Sequence, residues 1–442
     1  MKVNVLILSN QEIQEKILSG ESMISVHGFG HVGSAITSAF LRKGCRMVVH
    51  DVKNDVVERL NSGNWKTLDD IKITETIQKG FVDKKILATE DYEDAVSYST
   101  FHIITVPVSV NRKGRRIQVD LSQIIDACKK IGKFMAKGDA ISIETTLPPG
   151  TTEGVLKEMI EKESGLKAGS EFALIYSPER ILVGRALDDI ESNYPKIVSG
   201  FDQKSLDIGA TLYSIVSRKG VLRLSSIKAA ETEKVFEGIY RDVNIALANE
   251  LSDYCRQEGL NYGEIMDAAN SQPYSHLHKP GVGVGGACIP VYPYFILTKV
   301  KKQLDLTYTA RKTNERRPLQ IAENALNKFL AKYGSIKELN ATILGLSFRG
   351  DISDNRFSPT IDLTKYLLSR GCNVTVHDPF TYANMGLPKK VRFTNDLNES
   401  IKNSNIIILA TDHSIYKNLT VELIMKISSD KVVIEDPKQI LG

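Results

Sequence analysis

The sequence predicts an α/β protein with two Rossmann-like domains, each a doubly wound parallel sheet, joined by a long central helix. Short apolar runs rich in β-branched residues alternate with helix-length segments in two separate series, which is typical of βαβ units in a parallel sheet. Between the series, residues 227–259 form one long helical pattern without proline and with a single internal glycine. A chain of 442 residues is also too long for one hydrophobic core.

The first series of predicted strands follows a short N-terminal segment. These strands are almost entirely apolar, as expected of strands covered on both faces, and they span residues 23–27, 46–51, 101–108, 140–146 and 172–177. Residues 1–22 begin with a short apolar run that polar and acidic residues follow at once. The run is shorter than a signal-peptide core or a membrane span, so we expect an added strand and helix there.

The second series of predicted strands lies after residue 340. Its members span residues 341–348, 373–379, 405–412 and 431–437. Helical segments such as residues 360–371 separate them. The second half of the chain therefore repeats the βαβ pattern of the first.

Charge and cysteine content restrict the classes of ligand and compartment. The formal net charge is +4 and the basic residues are spread among acids, so neither nucleic acid nor a membrane surface is an expected partner, whereas small anions are compatible. The cysteines are odd in number and lack a CxxC pair, which argues against a disulfide framework and a zinc knuckle; they are Cys45, Cys128, Cys255, Cys288 and Cys372. We expect a soluble cytoplasmic protein without a metal site.

A GFGHVG motif follows the first predicted strand and opens an alanine-rich helix, the context in which GxGxxG indicates a dinucleotide site. Gly28 would make the tight turn, Gly30 would let the pyrophosphate approach the backbone, and Gly33 would let helix and strand pack closely. Asp51 ends the next strand, where a carboxylate accepts ribose hydroxyls and favours NAD over NADP. The alternative for Asp51 is a helix N-cap, and Lys53 leaves room for a 2′-phosphate.

A lone cysteine, Cys288, follows a glycine-rich run within residues 279–292. On such a loop a thiolate could act as a covalent nucleophile, and neighbouring main-chain N–H groups could stabilise charge on a bound carbonyl. This points to chemistry on an aldehyde or acyl carbon. The alternative is a tight turn around a small buried thiol.

The chain resembles the UDP-glucose/GDP-mannose 6-dehydrogenases, which oxidise a sugar C6 alcohol to a carboxylate with NAD. The resemblance runs from about Met23 to near the C-terminus and rests on GFGHVG, TVPV, ETTLPPGTT, SPERILVG, ETEKVFEGIYRDVNIALANE, GVGVGGACIP, ARKTN and GLSFRGDISDNRFSP in that order. Because SPERILVGR replaces the PEFLREG-type segment of UDP-glucose enzymes, the chain looks most like the branch acting on UDP-N-acetylhexosamines. UDP-N-acetylmannosamine is the favoured substrate, ahead of the N-acetylglucosamine form.

The resemblance implies a two-step oxidation in which Cys288 forms first a thiohemiacetal and then a thioester. Lys234 would stabilise the developing oxyanion, Glu179 would activate the hydrolytic water, and Thr146 would lie beside the reacting carbon. The alternatives are a solvated helix lysine, a surface carboxylate and a strand-end hydroxyl. Val32, Pro107 and Thr146 join the predicted cofactor contacts.

The same resemblance implies a set of substrate contacts in which cations face the diphosphate. The predicted substrate-binding residues are Glu179, Arg180, Lys234, Arg241, Gly285, Arg349 and Arg356. Arg349 stands where the family usually has lysine, and the alternative for Arg356 is an ion pair with Asp354. Arg311 and Asn314 match a family element near the cofactor and the subunit contact.

Three positions depart from the family pattern. Gly238 stands where the family has asparagine, four residues after Lys234. Tyr292 stands where the family has aspartate, four residues after Cys288, and Ala287 stands where it often has histidine, just before Cys288. A mid-helix glycine costs about 1 kcal/mol relative to alanine, so its presence suggests that a neighbour needs the space. We expect Tyr292 or an ordered water to fill the volume above Gly238 and to restore a donor near Lys234.

The leading interpretation is thus an NAD-dependent UDP-N-acetylhexosamine 6-dehydrogenase of polysaccharide biosynthesis. The alternatives are a UDP-glucose 6-dehydrogenase and a nucleotide-sugar-binding paralogue of weakened activity, which Gly238 and Tyr292 would favour. The expected segments are an N-terminal extension (1–22), an NAD-binding Rossmann domain (23–220), a central region with the catalytic cysteine (221–318) and a UDP-sugar-binding Rossmann-like domain (319–442). Since a long exposed helix between domains commonly forms a dimer interface, we expect a homodimer or higher homo-oligomer.

Overall fold

The computed structural model describes residues 2–67, 70–113, 116–298, 300, 304–335, 338–381 and 386–441. The chain divides into two compact units, Met1–Val235 and Phe236–Gly442. Each unit contains one mostly or wholly parallel sheet covered by helices, so the predicted fold class is confirmed.

The N-terminal segment forms a helix but not the expected strand. Helix α1 (Asn10–Ser19) begins at a capping box in which Ser9 and Glu12 bond each other's backbone N–H. Residues 2–9 contain no strand, because the Asn4 side chain accepts a hydrogen bond from Leu6 N at 3.0 Å and folds the apolar run into a turn. The prediction of a strand there was wrong.

The first sheet has eight strands in the order β10-β9-β8-β7-β4-β1-β2-β3, beside a separate hairpin of β5 and β6. The strands of this unit are β1 (Ile24–His27), β2 (Met47–His50), β3 (Ile86–Thr89), β4 (Phe101–Ile104), β5 (Ser109–Lys113), β6 (Arg116–Asp120), β7 (Ala140–Ile143), β8 (Ala173–Tyr176), β9 (Lys196–Gly200) and β10 (Val221–Arg223). All five predicted strands are present. The strands from β3 to β8 across the sheet are parallel, whereas β9 pairs with β8 in the antiparallel direction.

Helices cover both faces of this sheet. They are α2 (His31–Arg42), α3 (Asn54–Asn61), α4 (Ile71–Val82), α5 (Tyr92–Ser97), α6 (Ser122–Phe134), α7 (Lys157–Ser164), α8 (Ala186–Asp188) and α9 (Gln203–Ser214). The strand order reverses at β1, which pairs with β2 on one side and β4 on the other. Ligands of such sheets bind outside the carboxyl ends of the strands at this reversal.

The predicted central helix is confirmed as α10 (Ile227–Gln257). Helix α13 (Asp305–Tyr333) is nearly as long and contains Pro318 in its interior. The expected boundary between residues 318 and 319 therefore lies inside a continuous helix.

The second sheet is parallel throughout, in the order β13-β12-β11-β14-β15. The remaining elements are α11 (Tyr262–Asn270), α12 (Tyr292–Leu297), β11 (Asn340–Leu344), α14 (Pro359–Ser369), β12 (Asn373–His377), β13 (Arg392–Thr394), α15 (Leu397–Ile401), β14 (Ile406–Leu409), α16 (Val421–Ile427) and β15 (Val433–Glu435). All four predicted strands are present, and β13 is additional. None of the described helices has the length and apolarity needed to cross a membrane.

Candidate active site

The glycine turn after β1 has the geometry that the dinucleotide motif predicts. Gly28 has φ +96°, a conformation that other residues rarely adopt. A Cβ on Gly33 would lie 2.1 Å from the Gly28 carbonyl oxygen, so only glycine allows this approach of α2 to the turn. A Cβ on Gly30 would meet nothing within 4 Å. The backbone at Gly30, at the N-terminus of α2, is thus accessible to a phosphate group.

Asp51 follows β2 and binds the glycine turn directly. Its Oδ2 accepts from Phe29 N at 2.6 Å and its Oδ1 accepts from Lys53 N at 2.9 Å. The N-cap of α3 is Lys53 and not Asp51. Each carboxylate oxygen keeps a second lone pair, so Asp51 fits a ribose diol next to the phosphate position.

The other predicted cofactor residues lie along the same carboxyl edge. Val32 is half-buried in the first turn of α2, Pro107 is exposed after β4, and Thr146 is half-buried after β7. Sequence analysis missed Thr105, whose Oγ1 donates to Gly28 O at 2.7 Å and so fixes the turn. Thr105 is the first residue of the TVPV motif, and this motif is the sequence signal that could have identified it.

Glu179 lies at the end of β8 in a buried charged cluster. Lys196 Nζ donates to the Glu179 carboxylate and, at 2.7 Å, to Glu144 Oε2. Burial opposes ionisation of Glu179, but the Lys196 charge and the hydrogen bonds from Lys196, Arg180 N and Glu144 outweigh burial and lower its pKa. Sequence analysis missed Glu144 and Lys196. The signals were the first residue of ETTLPPGTT and a lysine opening an otherwise apolar strand.

Lys234 lies in the first turns of α10, whose start is fixed to the loop after β7. Glu231, one turn earlier, accepts from Gly150 N and, at 2.9 Å, from Thr152 N. This pair of bonds holds the beginning of α10 against the segment that follows Thr146. Lys234 therefore belongs to a fixed part of the first unit.

Cys288 lies in the second unit and is the only exposed cysteine of the five. Its loop packs on the loop that contains two of the predicted diphosphate ligands. Gly286 N donates to Arg356 O at 2.8 Å, and a Cβ on Gly285 would lie 2.5 Å from the Phe348 Cβ, next to Arg349. The structure thus brings Gly285, Arg349 and Arg356 together.

Arg356 and Arg241, two of the predicted substrate-binding cations, are exposed. The Arg356 guanidinium bonds Asp354 with Nε at 3.0 Å from Oδ1, which is the ion pair weighed as the alternative. Its side chain is nonetheless 64% exposed. Arg241 is exposed on α10.

Arg311 and Asn314 are buried and bind α10. Arg311 Nη1 lies 2.8 Å from Asp242 Oδ1, and Asn314 Nδ2 donates to Asp242 O at 2.8 Å. Only 1% of the surface of each is exposed. These contacts join α13 to α10 within the second unit.

Tyr292 fills the space above Gly238. A Cβ on Gly238 would lie 2.5 Å from Cδ2 of the Tyr292 ring and 3.2 Å from its Cγ. Tyr292 N also donates to Cys288 O at 3.0 Å, so the ring that lies on the helix belongs to the turn that holds the cysteine. The predicted filling of this volume by Tyr292 is therefore confirmed, whereas the donor near Lys234 stays a prediction.

Three models of one protein family match consecutive parts of the chain. Its NAD-binding domain matches residues 22–217, its central domain residues 228–316 and its UDP-binding domain residues 342–442. The chain belongs to the UDP-glucose/GDP-mannose dehydrogenase family. It is an NAD-dependent oxidoreductase of the nucleotide-sugar dehydrogenase class, so the predicted family, enzyme class and cofactor are confirmed.

Similar proteins match over nearly the whole length of this dehydrogenase. A UDP-N-acetyl-D-mannosamine dehydrogenase of Pyrococcus horikoshii is 32% identical over 420 residues, which cover 93% of this chain and 94% of the relative. A solved UDP-D-ManNAc dehydrogenase from the same organism has a TM-score of 0.86 at 30% identity and covers 95% of this chain and 96% of its own. A solved NDP-N-acetyl-D-galactosaminuronic acid dehydrogenase of Methanosarcina mazei has a TM-score of 0.82 at 29% identity and covers 97% of this chain and 94% of its own.

Substitution of the two motif glycines by alanine should separate folding from cofactor binding. Gly33→Ala should lower the free energy of unfolding by about 1–3 kcal/mol, because its Cβ would overlap the glycine turn. Gly30→Ala should cost less stability than Gly33→Ala, because its Cβ would meet nothing within 4 Å, and should weaken NAD binding, because the motif predicts that the pyrophosphate approaches the backbone there. Denaturant unfolding and NAD titration by calorimetry measure the two effects. Equal stability of the two variants would contradict this assignment.

Because Tyr292 contacts Gly238, the effect of Gly238→Ala on stability should change sign when the tyrosine side chain is removed. Gly238→Ala should destabilise the wild-type protein by about 1–3 kcal/mol through overpacking. In a Tyr292→Gly background the same change should stabilise it by about 0.5–1 kcal/mol, since the Tyr292 Cβ that would lie 3.0 Å from the added methyl group is also removed and alanine is the better helix residue. A double-mutant cycle in denaturant gives both values, and additive effects would show that the two residues do not interact.

Proposed function

We propose that this enzyme oxidises the C6 alcohol of a UDP-N-acetylhexosamine to the uronate in two steps, with UDP-N-acetylmannosamine as the favoured substrate. The observation that carries the proposal is the exposed Cys288 on a glycine loop packed against the Arg349–Arg356 loop. The other four cysteines are buried. A single accessible thiol beside cations suited to a diphosphate fits covalent capture of a sugar aldehyde.

Bound NAD⁺ would supply the acceptor for both hydrides. The Cys288 thiolate adds to the C6 aldehyde to give a thiohemiacetal, whose oxidation yields a thioester that water hydrolyses to the carboxylate. Retaining the carbon on sulfur keeps the aldehyde from leaving between the two oxidations. The geometry after β1 and β2 supports the cofactor position, because the backbone is open at Gly30 and the Asp51 carboxylate lies beside the turn.

Lys234 and Glu179 have different proposed roles in this sequence. Lys234 supplies positive charge to the oxyanion that forms on C6, and Glu179 takes a proton from the hydrolytic water. The lowered pKa of Glu179 keeps it ionised at neutral pH, which is the form a base requires. Thr146, at the end of β7, positions the reacting carbon.

The diphosphate and sugar contacts are assigned to the predicted substrate-binding residues. We propose that Arg349, Arg356 and Arg241 bind the UDP moiety from the second unit and that Arg180 contributes from the first. A side chain at position 285 would overlap Phe348, so glycine is needed there. The relatives named for N-acetylated sugars support an acetamido substrate over UDP-glucose.

The proposed organisation keeps the four segments 1–22, 23–220, 221–318 and 319–442 and places a dimer contact on α10. Four exposed apolar residues on this helix, Phe236, Tyr240, Leu247 and Tyr254, lie within about 40° around the helix axis. Their exposed fractions are 58%, 53%, 42% and 57%. A single stripe of this kind fits a second copy of the chain. The free cysteines fit a reducing cytoplasm.

The proposed chemistry predicts two NADH per molecule of sugar and dependence on one thiol. Purified protein is mixed with NAD⁺ and a panel of UDP-N-acetylmannosamine, UDP-N-acetylglucosamine and UDP-glucose, and NADH absorbance is measured. Cys288→Ser should lose steady-state turnover and retain NAD binding, whereas the control Cys372→Ala, at a buried thiol, should keep turnover. Unchanged turnover in Cys288→Ser would rule out the covalent route, and tight sugar binding without NADH would favour the weakened paralogue.

A charge on the aromatic stripe should dissociate the proposed dimer. Tyr240→Glu places a carboxylate in the middle of the stripe and should convert the dimer to a monomer, because burying an unpaired charge is costly. Tyr274→Glu is the matched control, since Tyr274 is 96% exposed and lies outside α10. Sedimentation velocity measures the mass. A monomeric wild type, or a dimer in Tyr240→Glu, would refute this interface.

A further inference from the structure

A buried lysine lies between two carboxylates at the carboxyl edge of the first sheet. Glu144 directly follows β7, Glu179 lies shortly after β8, and Lys196 is the first residue of β9. Because β9 runs antiparallel to β8, its first residue lies at the edge where β7 and β8 end. Three charged residues that are distant in sequence thus meet where ligands of parallel sheets bind.

The contacts of this cluster are short and almost closed to solvent. Lys196 Nζ donates to both carboxylates, and Glu144 Oε1 accepts from the Tyr213 hydroxyl at 2.6 Å. The Tyr213 hydroxyl also lies 2.7 Å from Ser142 Oγ. The side chains of Lys196, Glu144 and Glu179 are 5%, 0% and 5% exposed. Such a cluster is expected to be rigid.

The charges in the cluster balance only if the two carboxylates share one proton. With both ionised around a single ammonium group, the cluster would carry one uncompensated buried negative charge, which is costly in a medium of low polarity. Burial, reinforced by the charge of Glu179, raises the pKa of Glu144 to about 7, against the opposing effects of Lys196 and Tyr213. The pKa of Glu179 is lowered. The shared proton therefore belongs to Glu144.

We propose that Glu144 is the proton reservoir of Glu179 and that Lys196 is the positioning residue that holds the two carboxylates together. This inference rests on the proposed function, in which Glu179 is the base of thioester hydrolysis. It adds two residues and a direction of proton movement to that function. Both carboxylates accept a hydrogen bond from the same Lys196 ammonium group, which holds them next to each other for proton transfer.

The hydrolytic step converts the Cys288 thioester and water to the carboxylic acid product and the Cys288 thiolate. Attack of water on the Cys288 thioester forms the new carbon–oxygen bond, and Glu179 takes one proton of the water. The tetrahedral oxyanion then collapses, the carbon–sulfur bond breaks and its electron pair leaves with the sulfur as thiolate. The proton moves from Glu179 to ionised Glu144, and the carboxylic acid product releases its remaining proton to solvent. No oxidant or reductant is consumed in this step.

The other ionisable groups around the cluster do not change charge near neutral pH. Tyr176 on β8, Tyr194 before β9 and Tyr213 on α9 are phenols whose pKa burial raises above the ordinary value. Lys196 stays protonated because the charges of Glu144 and Glu179 overcome its burial and raise its pKa. In the part of the chain that the structure describes, Glu144 is thus the member of this cluster that titrates near pH 7.

The sign of the expected pH dependence follows from which form of Glu144 accepts a proton. Ionised Glu144 is the acceptor, so hydrolysis should speed up as pH rises through about 7. Glu144→Gln cannot take the proton, so this inflection should disappear and the Cys288 acyl-enzyme should accumulate. Rapid-quench intact-mass spectrometry measures the acyl-enzyme, and stopped-flow NADH absorbance measures the oxidation steps, which should keep their rates.

Lys196→Met should act differently from Glu144→Gln. Without the ammonium group the two carboxylates repel each other more strongly, so the shared proton is held more tightly and the inflection should move to higher pH. Glu144→Gln itself guards against failure to fold, because it replaces a neutral carboxylic acid by an amide and leaves the Lys196–Glu179 ion pair in place. It should retain NAD binding and show no inflection. A merely structural role would lower stability in both single variants without these distinct profiles.

An exposed ion pair in the same unit supplies the control. Lys137→Met and Glu171→Gln alter a pair that is 62% and 30% exposed, and both should keep the wild-type profile. Infrared titration of the protonated-carboxyl band needs no substrate. It should show a buried acid titrating near pH 7 in wild type that is lost in Glu144→Gln, whereas the titration of Asp242, whose pKa burial raises to about 6, should remain in both. An unchanged inflection or band in Glu144→Gln overturns the inference. Absence of NADH with every UDP-sugar, with the infrared result intact, overturns the proposed function instead.

Discussion

The carboxyl edge of the first parallel sheet is the constraint on which the rest of this enzyme depends. Parallel strands all end at one edge, so the loop after each strand places its residues beside those of its neighbours. Here that edge collects the glycine turn after β1, Asp51 after β2, Thr105 after β4 and Thr146 after β7. The bond from Phe29 N to Asp51 links two of these loops directly, which fixes the distance between the phosphate and ribose positions.

Buried ion pairs such as those of the charged cluster at the same edge are better explained by function than by stability. Replacing such a pair with apolar residues of similar size is often neutral or stabilising. Lys196 and Glu144 therefore need a reason to be charged where an ordinary strand end would be apolar. The proposed role of Glu179 as a base would supply one, because a base that must stay ionised in a closed site needs a nearby cation, and a second carboxylate allows its proton to leave.

The apolar strands could be read from sequence because buried parallel strands carry continuous apolar runs. Strand β9 was missed because its run Lys196–Gly200 contains only two apolar residues, Ile197 and Val198. The N-terminal run had the composition of a strand, yet the Asn4 side chain turned the backbone before a ladder could form. Residues 28–33 were predictable since each glycine has a local steric reason. The Glu144–Lys196 contact spans 52 positions, and no local pattern encodes it.

Gly238 and Tyr292 show that a departure from a family pattern can be an exchange rather than a loss. The family's asparagine and aspartate are both absent, and considered singly each absence suggests a damaged site. In the structure the Tyr292 ring lies over Gly238, 2.5 Å from where a Cβ would stand. Because the same tyrosine donates its backbone N–H to Cys288 O, the exchange fixes the cysteine turn to α10. A sequence drifting toward inactivity has no need to preserve such complementarity, so this pair supports an enzyme that reaches the same chemistry with a differently packed site.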